Sequence, residues 1–229
     1  MTALPSAPPN PSSPRAPLVI AGLGAASGVL SYFLFTQFYL YGGFAAPGLC
    51  FGIALITAGR YLQIKSKFEL GMLLVLSVLG WMLAQDGATS IHSLFSDPSG
   101  LTLDESQPNP VDWFYPYRLA ISGLFAGLVW SLFIAMAVSI ADKTFRNFFN
   151  WAKIVLIGAA AGLILQFATT NFLWPPVSGP GFFATMVVWQ AAVAGCIGFV
   201  VVGSHSRSIT DAFPPPDQGA KRSSAIRNP

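Results

Sequence analysis

Few residues of this chain have side chains suited to acid–base, nucleophilic or metal chemistry, and their positions keep them apart. The histidines, His92 and His205, are separated by three long apolar stretches, which places them on opposite sides of a membrane. Ser27 lies in a run of small residues, but neither histidine lies within an apolar stretch, where it could activate that hydroxyl. The sequence therefore predicts no catalytic residue and no cofactor, and it argues against an enzyme.

One segment, residues 86–118, collects most of the acidic side chains around His92: Asp86, Asp97, Asp104, Glu105 and Asp112. Carboxylate oxygens and imidazole nitrogen are suitable ligands for a divalent ion. No EF-hand or other compact ligand spacing is present, so we interpret this segment as a solvated acidic loop and predict no metal site.

Neutral polar residues inside or at the ends of the apolar stretches are the remaining candidates for a functional site: Gln37, Gln166, Thr170, Asn171 and Gln190. They are suited to lining a path for a neutral solute, or to hydrogen bonding between helices. Ionisable groups are nearly absent from these stretches. This argues against proton- or sodium-coupled pumping through a charged relay.

The elements that must position these side chains are six apolar stretches. A helix needs about 20 mostly apolar residues to cross about 30 Å of hydrocarbon at about 1.5 Å per residue. The predicted spans are Pro17–Gln37, Ala45–Leu62, Phe68–Gln85, Leu119–Ile140, Ile154–Leu173 and Gly181–Gly203.

Composition agrees with a membrane protein. The chain is 53% hydrophobic and 9% charged, against roughly 25% charged residues in soluble domains. Continuous apolar runs favour helices over the short alternating segments of a β-barrel. We therefore predict an all-α, polytopic transmembrane helix bundle of six spans, with membrane lipid as a partner and no nucleic acid.

Basic residues predict the orientation. Eleven of them fall on one side of the six-span scheme: Arg15, Arg60, Lys65, Lys67, Lys143, Arg146, Lys153, Arg207, Lys221, Arg222 and Arg227. The acidic 86–118 segment falls on the other side. By the positive-inside rule, both termini are predicted to be cytoplasmic in a multi-pass protein of the cell or inner membrane. Residues 1–16 and 204–229 are predicted to be disordered tails around a 17–203 transmembrane domain.

Spans one and five resemble each other. At an offset of 134, Gly24–Phe38 matches Gly158–Phe172 at seven of fifteen positions without gaps. A parallel duplication of spans 1–2 and 5–6 would explain this similarity, and chance alignment of Gly/Ala-rich helices is the alternative.

Three Gly-x3-Gly pairs predict close helix contacts: Gly24 and Gly28, Gly123 and Gly127, and Gly158 and Gly162. Such pairs serve packing within one chain or homo-oligomerisation, and we favour the first.

Together these features predict a permease- or channel-like protein for a small neutral or weakly polar solute. The alternative is a non-catalytic accessory or scaffold subunit that binds a membrane-complex partner.

Overall fold

The computed structural model describes residues 14–38, 45–62, 64, 66–94, 115–172 and 180–212, apart from a few side chains near helix ends. This part of the chain contains six α-helices and no strand, which confirms the predicted all-α bundle. The helices are α1 (Ala16–Phe38), α2 (Ala46–Thr57), α3 (Lys67–Leu94), α4 (Tyr115–Ala141), α5 (Phe148–Phe172) and α6 (Pro180–Ala212).

Five of these helices are long and apolar enough to cross a membrane, and α2 is the exception. Its 12 residues rise only about 18 Å, against about 30 Å of hydrocarbon. A short 3-10 turn, Ala58–Arg60, continues it toward the next helix. Helix α2 is therefore shorter than the predicted second span, Ala45–Leu62, because the chain tightens after Thr57 into the 3-10 turn that contains Gly59.

Helices α3 and α5 begin with side-chain caps. The Ser66 amide donates to Glu69 Oε2 at 3.0 Å, and the Glu69 amide donates to Ser66 Oγ at 3.1 Å. This reciprocal pair is a capping box and starts α3 at Lys67. The Phe149 amide donates to Asn147 Oδ1 at 2.9 Å, so α5 starts six residues before the predicted Ile154.

The helices form a closed ring in chain order, in which each packs on its neighbours and α6 packs on α1. Glycine contacts show that neighbours are antiparallel, since Gly24 faces Gln190 whereas Gly28 faces Met186. The same relation holds between α4 and α5, and between α3 and α4, where Gly80 faces Phe133 and Gly87 faces Phe125. The first part of α5 lies beside the second half of α6, so α1, α3 and α5 run in one direction. The starts of these three helices define one end of the bundle, which carries Lys67, Lys143 and Lys153 and is called the basic end below.

The centre of the ring is aromatic. Phe51 from α2, Trp81 from α3, Trp130 from α4 and Trp189 from α6 are each at most 3% exposed. Trp130 contacts all three of the others, with ring centroids 4.7 Å from Phe51, 5.9 Å from Trp81 and 5.3 Å from Trp189. Edge-to-face contacts of this kind add to the packing energy of the buried rings.

The outer surface of the ring is apolar. Leu18, Leu156 and Phe199 are 74%, 67% and 70% exposed. Large apolar side chains are not left open to water over such an area in soluble proteins. The apolar outer surface and the length of the five long helices together indicate a multi-pass membrane protein. Residues 1–13, most of the acidic 86–118 segment and residues 213–229 lie outside the described part of the chain.

Candidate functional site

Three polar side chains at mid-membrane depth join α1 to α6. Gln190 is 1% exposed and lies near the middle of the apolar part of α6. Its Oε1 accepts from Ser27 Oγ at 2.5 Å, and its Nε2 donates to Ser31 Oγ at 3.0 Å. Ser27 is the twelfth of the 23 residues of α1. The three side chains, called the Gln190 cluster below, therefore satisfy one another far from water.

Each serine of the Gln190 cluster also contacts a carbonyl of its own helix. Ser27 Oγ lies 2.7 Å from Gly24 O, and Ser31 Oγ lies 2.6 Å from Ser27 O. A hydroxyl has a single proton, so Ser27 shares it between Gly24 O and Gln190. No group of the cluster is a base, so Ser27 is held as a hydrogen-bond donor rather than activated as a nucleophile.

Two glycines of α1 make this contact possible. A Cβ added at Gly24 would lie 2.5 Å from Gln190 O, and one added at Gly28 would lie 2.5 Å from Met186 O. These distances are shorter than real Cβ contacts allow. The backbones of α1 and α6 therefore meet directly, which brings Ser27 within reach of Gln190.

The other four glycines of the Gly-x3-Gly pairs bring α4 and α5 together. Gly123 faces Gly162, and Gly127 faces Gly158. Beside them, Ser131 Oγ donates to Gly127 O of its own helix and also lies 3.3 Å from Val155 O across the interface. All six glycines are buried at contacts within this chain.

The structure does not bring together Gln37, Gln166 and Gln190, the candidate path-lining residues whose side chains it describes. Gln190 of α6 contacts α1, whereas Gln166 of α5 is half-buried against Gly123 of α4. Gln37 is exposed at the end of α1. Thr170 and Asn171 belong to the last turn of α5, and their side chains lie outside the described part of the structure.

Aromatic residues at mid-membrane depth were not singled out by the sequence analysis. Tryptophan is usually found at membrane interfaces, so its position in the middle of three apolar stretches is the signal for a buried aromatic centre. Trp130 Nε1 donates to Ser77 O at 3.3 Å. Trp189 Nε1 is buried and has no hydrogen-bond partner among the residues that the structure describes. An orphaned donor of this kind requires an explanation.

A groove of about 860 Å³ separates α5 from α6 at the basic end. Its mouth is polar and consists of Thr144, Asn147, Asn150 and Lys153. Deeper along α5 the wall is formed by Leu156 and Ile157, and the α6 wall, which includes Phe199, is apolar along its length. Lys153 was predicted only to be one of the cytoplasmic charges, because no motif in the sequence connects it with a site.

The loop between α4 and α5 is held firmly at this mouth. Phe145 is fully buried, and Ser139 Oγ donates to Phe145 O at 2.9 Å. The Trp151 indole donates to the same hydroxyl at 2.5 Å. Asn150 Nδ2 donates to Thr144 O at 2.9 Å. These hydrogen bonds fix the positions of Thr144 and Asn150, two of the residues at the mouth.

Comparison of the chain with protein-family models, with curated proteins and with solved structures found no match. Function is therefore inferred from the contacts inside the bundle and from the groove beside it.

Proposed function

We propose that this protein is a non-catalytic, non-transporting subunit that supports the assembly of a membrane complex. The observation that carries this proposal is the Gln190 cluster. Gln190, the most deeply placed candidate for a solute path, has both ends of its amide occupied by Ser27 and Ser31. Polar side chains that satisfy one another hold helices together and offer no ligand to a passing solute.

The aromatic centre supports the same proposal. Phe51, Trp81, Trp130 and Trp189 fill the middle of the ring. A pathway for a polar solute through this ring would require the indoles to separate. Loss of these contacts would be unfavourable because each ring is buried against the others.

The second candidate function is the passage of a small neutral solute, and one observation favours it. Trp189 Nε1, next in sequence to Gln190, is a buried donor without a partner in the described part of the chain. A solute with a hydroxyl or carbonyl oxygen would satisfy this donor. In that case Trp189 and Gln190 would bind the solute, and the Gln190 cluster would open during transport.

A flux measurement distinguishes these functions. The purified full-length chain is reconstituted in liposomes, and shrinkage and reswelling with glycerol, urea and erythritol are followed by stopped-flow light scattering. We expect the rates of protein-free liposomes. A faster rate that Trp189→Phe or Gln190→Leu lowers, while Gln37→Leu does not, would contradict the proposed function and support the second.

The accessory role itself is tested in the native membrane. The protein is extracted in a gentle detergent, separated on a native gel and compared with the purified recombinant chain. We expect the extracted protein to migrate as a larger, stoichiometric complex. Identical migration of both samples as a single chain would contradict this role.

A further inference from the structure

We propose that the groove between α5 and α6 binds one phospholipid with an anionic headgroup, from the leaflet at the basic end. The headgroup phosphate would lie against Lys153 and the amide side chains at the mouth. One acyl chain would lie in the apolar part of the groove. This inference is independent of the proposed function, since a lipid site of this kind suits a subunit and a permease equally.

The groove is polar at its mouth and apolar at depth, as a phospholipid is polar at its headgroup and apolar along its acyl chains. Thr144, Asn147, Asn150 and Lys153 lie at the mouth, whereas the deeper part is lined by Leu156 and Ile157 of α5 and by small apolar residues of α6 such as Ala192. Asn147 accepts from the Phe149 amide through Oδ1, so its Nδ2 group remains as a donor. Amide and ammonium donors together match the oxygens of a phosphate.

Charge at the mouth favours an anion. Between residues 142 and 153 the chain carries Lys143, Arg146 and Lys153 against Asp142 alone, and of these four residues Lys153 is the one that lines the groove. Asp142 Oδ1 accepts from the Thr144 amide at 2.9 Å, which ties that carboxylate to the loop. Basic pockets between transmembrane helices attract the headgroups of anionic lipids.

The dimensions of the groove fit one leaflet. Along α6 it extends from Gly203 to Ala191, which corresponds to about 18 Å at about 1.5 Å per residue. One leaflet contributes about 15 Å of hydrocarbon. The groove also lies on the lipid-facing surface, because Leu156 and Phe199 are 67% and 70% exposed.

Lipid selectivity tests the headgroup half of the proposal. The full-length protein in detergent is titrated with dioleoylphosphatidylglycerol or dioleoylphosphatidylcholine, and bound lipid is counted by native mass spectrometry. We expect one tightly bound phosphatidylglycerol and weaker phosphatidylcholine binding. Lys153→Gln should reduce phosphatidylglycerol affinity about fivefold, the effect of one cation near an anionic lipid.

Lys67→Gln is the matched control, because Lys67 is also exposed at the basic end but lies outside the groove. It should leave phosphatidylglycerol affinity unchanged. An equal loss in both variants would indicate general attraction to the basic end and would overturn the proposal. Equal affinity of the wild-type protein for both lipids would also overturn it.

A second pair of variants tests the acyl-chain half. Ala192→Trp fills the groove, whereas Ala160→Trp adds the same ring to an exposed position of α5 outside it. We expect only Ala192→Trp to abolish the tightly bound phosphatidylglycerol. Retention of that lipid by Ala192→Trp, or a protein dimer in place of the lipid-bound species, would show that a phospholipid is not the occupant.

Discussion

At the scale of single residues, Gln190 shows how a polar side chain is accommodated in this bundle. It is 1% exposed, and its amide bonds to two serine hydroxyls of a neighbouring helix. Both serines keep contacts with carbonyls of α1. Replacement of Gln190 therefore breaks the link between two helices without leaving either hydroxyl unpaired.

We expect Gln190→Leu to lower the free energy of unfolding by about 1–2 kcal/mol, since two interhelical hydrogen bonds are lost at about 0.6 kcal/mol on average and about 1.7 at most. The measurement is reversible unfolding in mixed detergent micelles with SDS. Gln37→Leu is the control, because Gln37 is exposed at the end of α1. This variant should change the free energy of unfolding by about 0.5 kcal/mol at most. Equal effects of the two variants would mean that the Gln190 cluster contributes nothing to stability.

The tryptophans allow a sharper comparison. Trp130→Phe and Trp189→Phe each replace an indole by a smaller ring in the same centre, but only Trp130 donates a hydrogen bond, to Ser77 O. We expect Trp130→Phe to be more destabilising by about 1 kcal/mol, the net worth of one hydrogen bond. SDS unfolding of both variants measures the difference. The opposite order would indicate that Trp189 Nε1 bonds to a water or a solute.

The polar residues within the apolar stretches could be predicted from the sequence, but their hydrogen-bond partners could not. Gln166 and Gln190 both stand out in apolar stretches, yet whether they share a path or bond to other helices depends on how each helix is rotated. That rotation is not readable from spans that are apolar on every side. Trp81, Trp130 and Trp189 carry no chemical motif, so their meeting in the centre became visible only in three dimensions.

At the scale of elements, glycines bring helix backbones together at three interfaces of the ring, whereas Gly80 and Gly87 of α3 face the side chains of Phe133 and Phe125 of α4. Gly48 of α2 lies against Ser77 of α3, Gly127 of α4 against Gly158 of α5, and Gly28 of α1 against Met186 of α6. A serine bonds across each of these interfaces: Ser77 to Gly48 O, Ser131 to Val155 O and Ser27 to Gln190. The groove lies at an intervening interface, between α5 and α6, where the helices pack less extensively.

Hydropathy predicts that the helices exist, but it does not predict where they begin. Local hydrogen bonds at the helix starts determine those positions. The capping box at Ser66 and Glu69 and the Asn147 cap each start a helix at its observed position. The Gly-x3-Gly spacing marked close-packing faces but did not identify their partners. The parallel directions of α1 and α5 are compatible with a duplication, which stays a prediction.

Two glycines of α1 provide a matched test of close packing. A Cβ at Gly28 would lie 2.5 Å from Met186 O, whereas one at Gly22 would meet nothing within 4 Å. We expect Gly28→Ala to destabilise the protein by about 1–3 kcal/mol through overpacking. Gly22→Ala should be neutral, or stabilising by up to about 1 kcal/mol, because alanine favours the helix. SDS unfolding measures both, and a stable Gly28→Ala variant would contradict the close approach of α1 and α6.

At the scale of the whole molecule, the closed antiparallel ring relates the ends of all six helices to one another. The basic end carries Lys67, Lys143 and Lys153, so determining the side reached by any one helix end orients the whole bundle. By the positive-inside rule, we propose that this end faces the cytoplasm together with both termini. The lipid groove would then open to the cytoplasmic leaflet, where anionic lipids are concentrated.

Helix α3 is suited to a test of this orientation. Its 28 residues extend over about 42 Å, enough to cross the hydrocarbon and reach both headgroup regions. Lys67 and Leu94 are exposed at its two ends. With Cys50 and Cys196 replaced by alanine, Lys67→Cys and Leu94→Cys place a single thiol at either end of one rigid element.

We expect a membrane-impermeant maleimide added to intact cells to label the Leu94→Cys variant and not the Lys67→Cys variant, because only the outer end of α3 meets the reagent. Both variants should react after the membrane is permeabilised, which controls for burial of either thiol. Labelling of the Lys67→Cys variant alone in intact cells would show that the bundle has the opposite orientation in the membrane. The mouth of the groove would then face outward, and its phospholipid would have to come from the opposite leaflet.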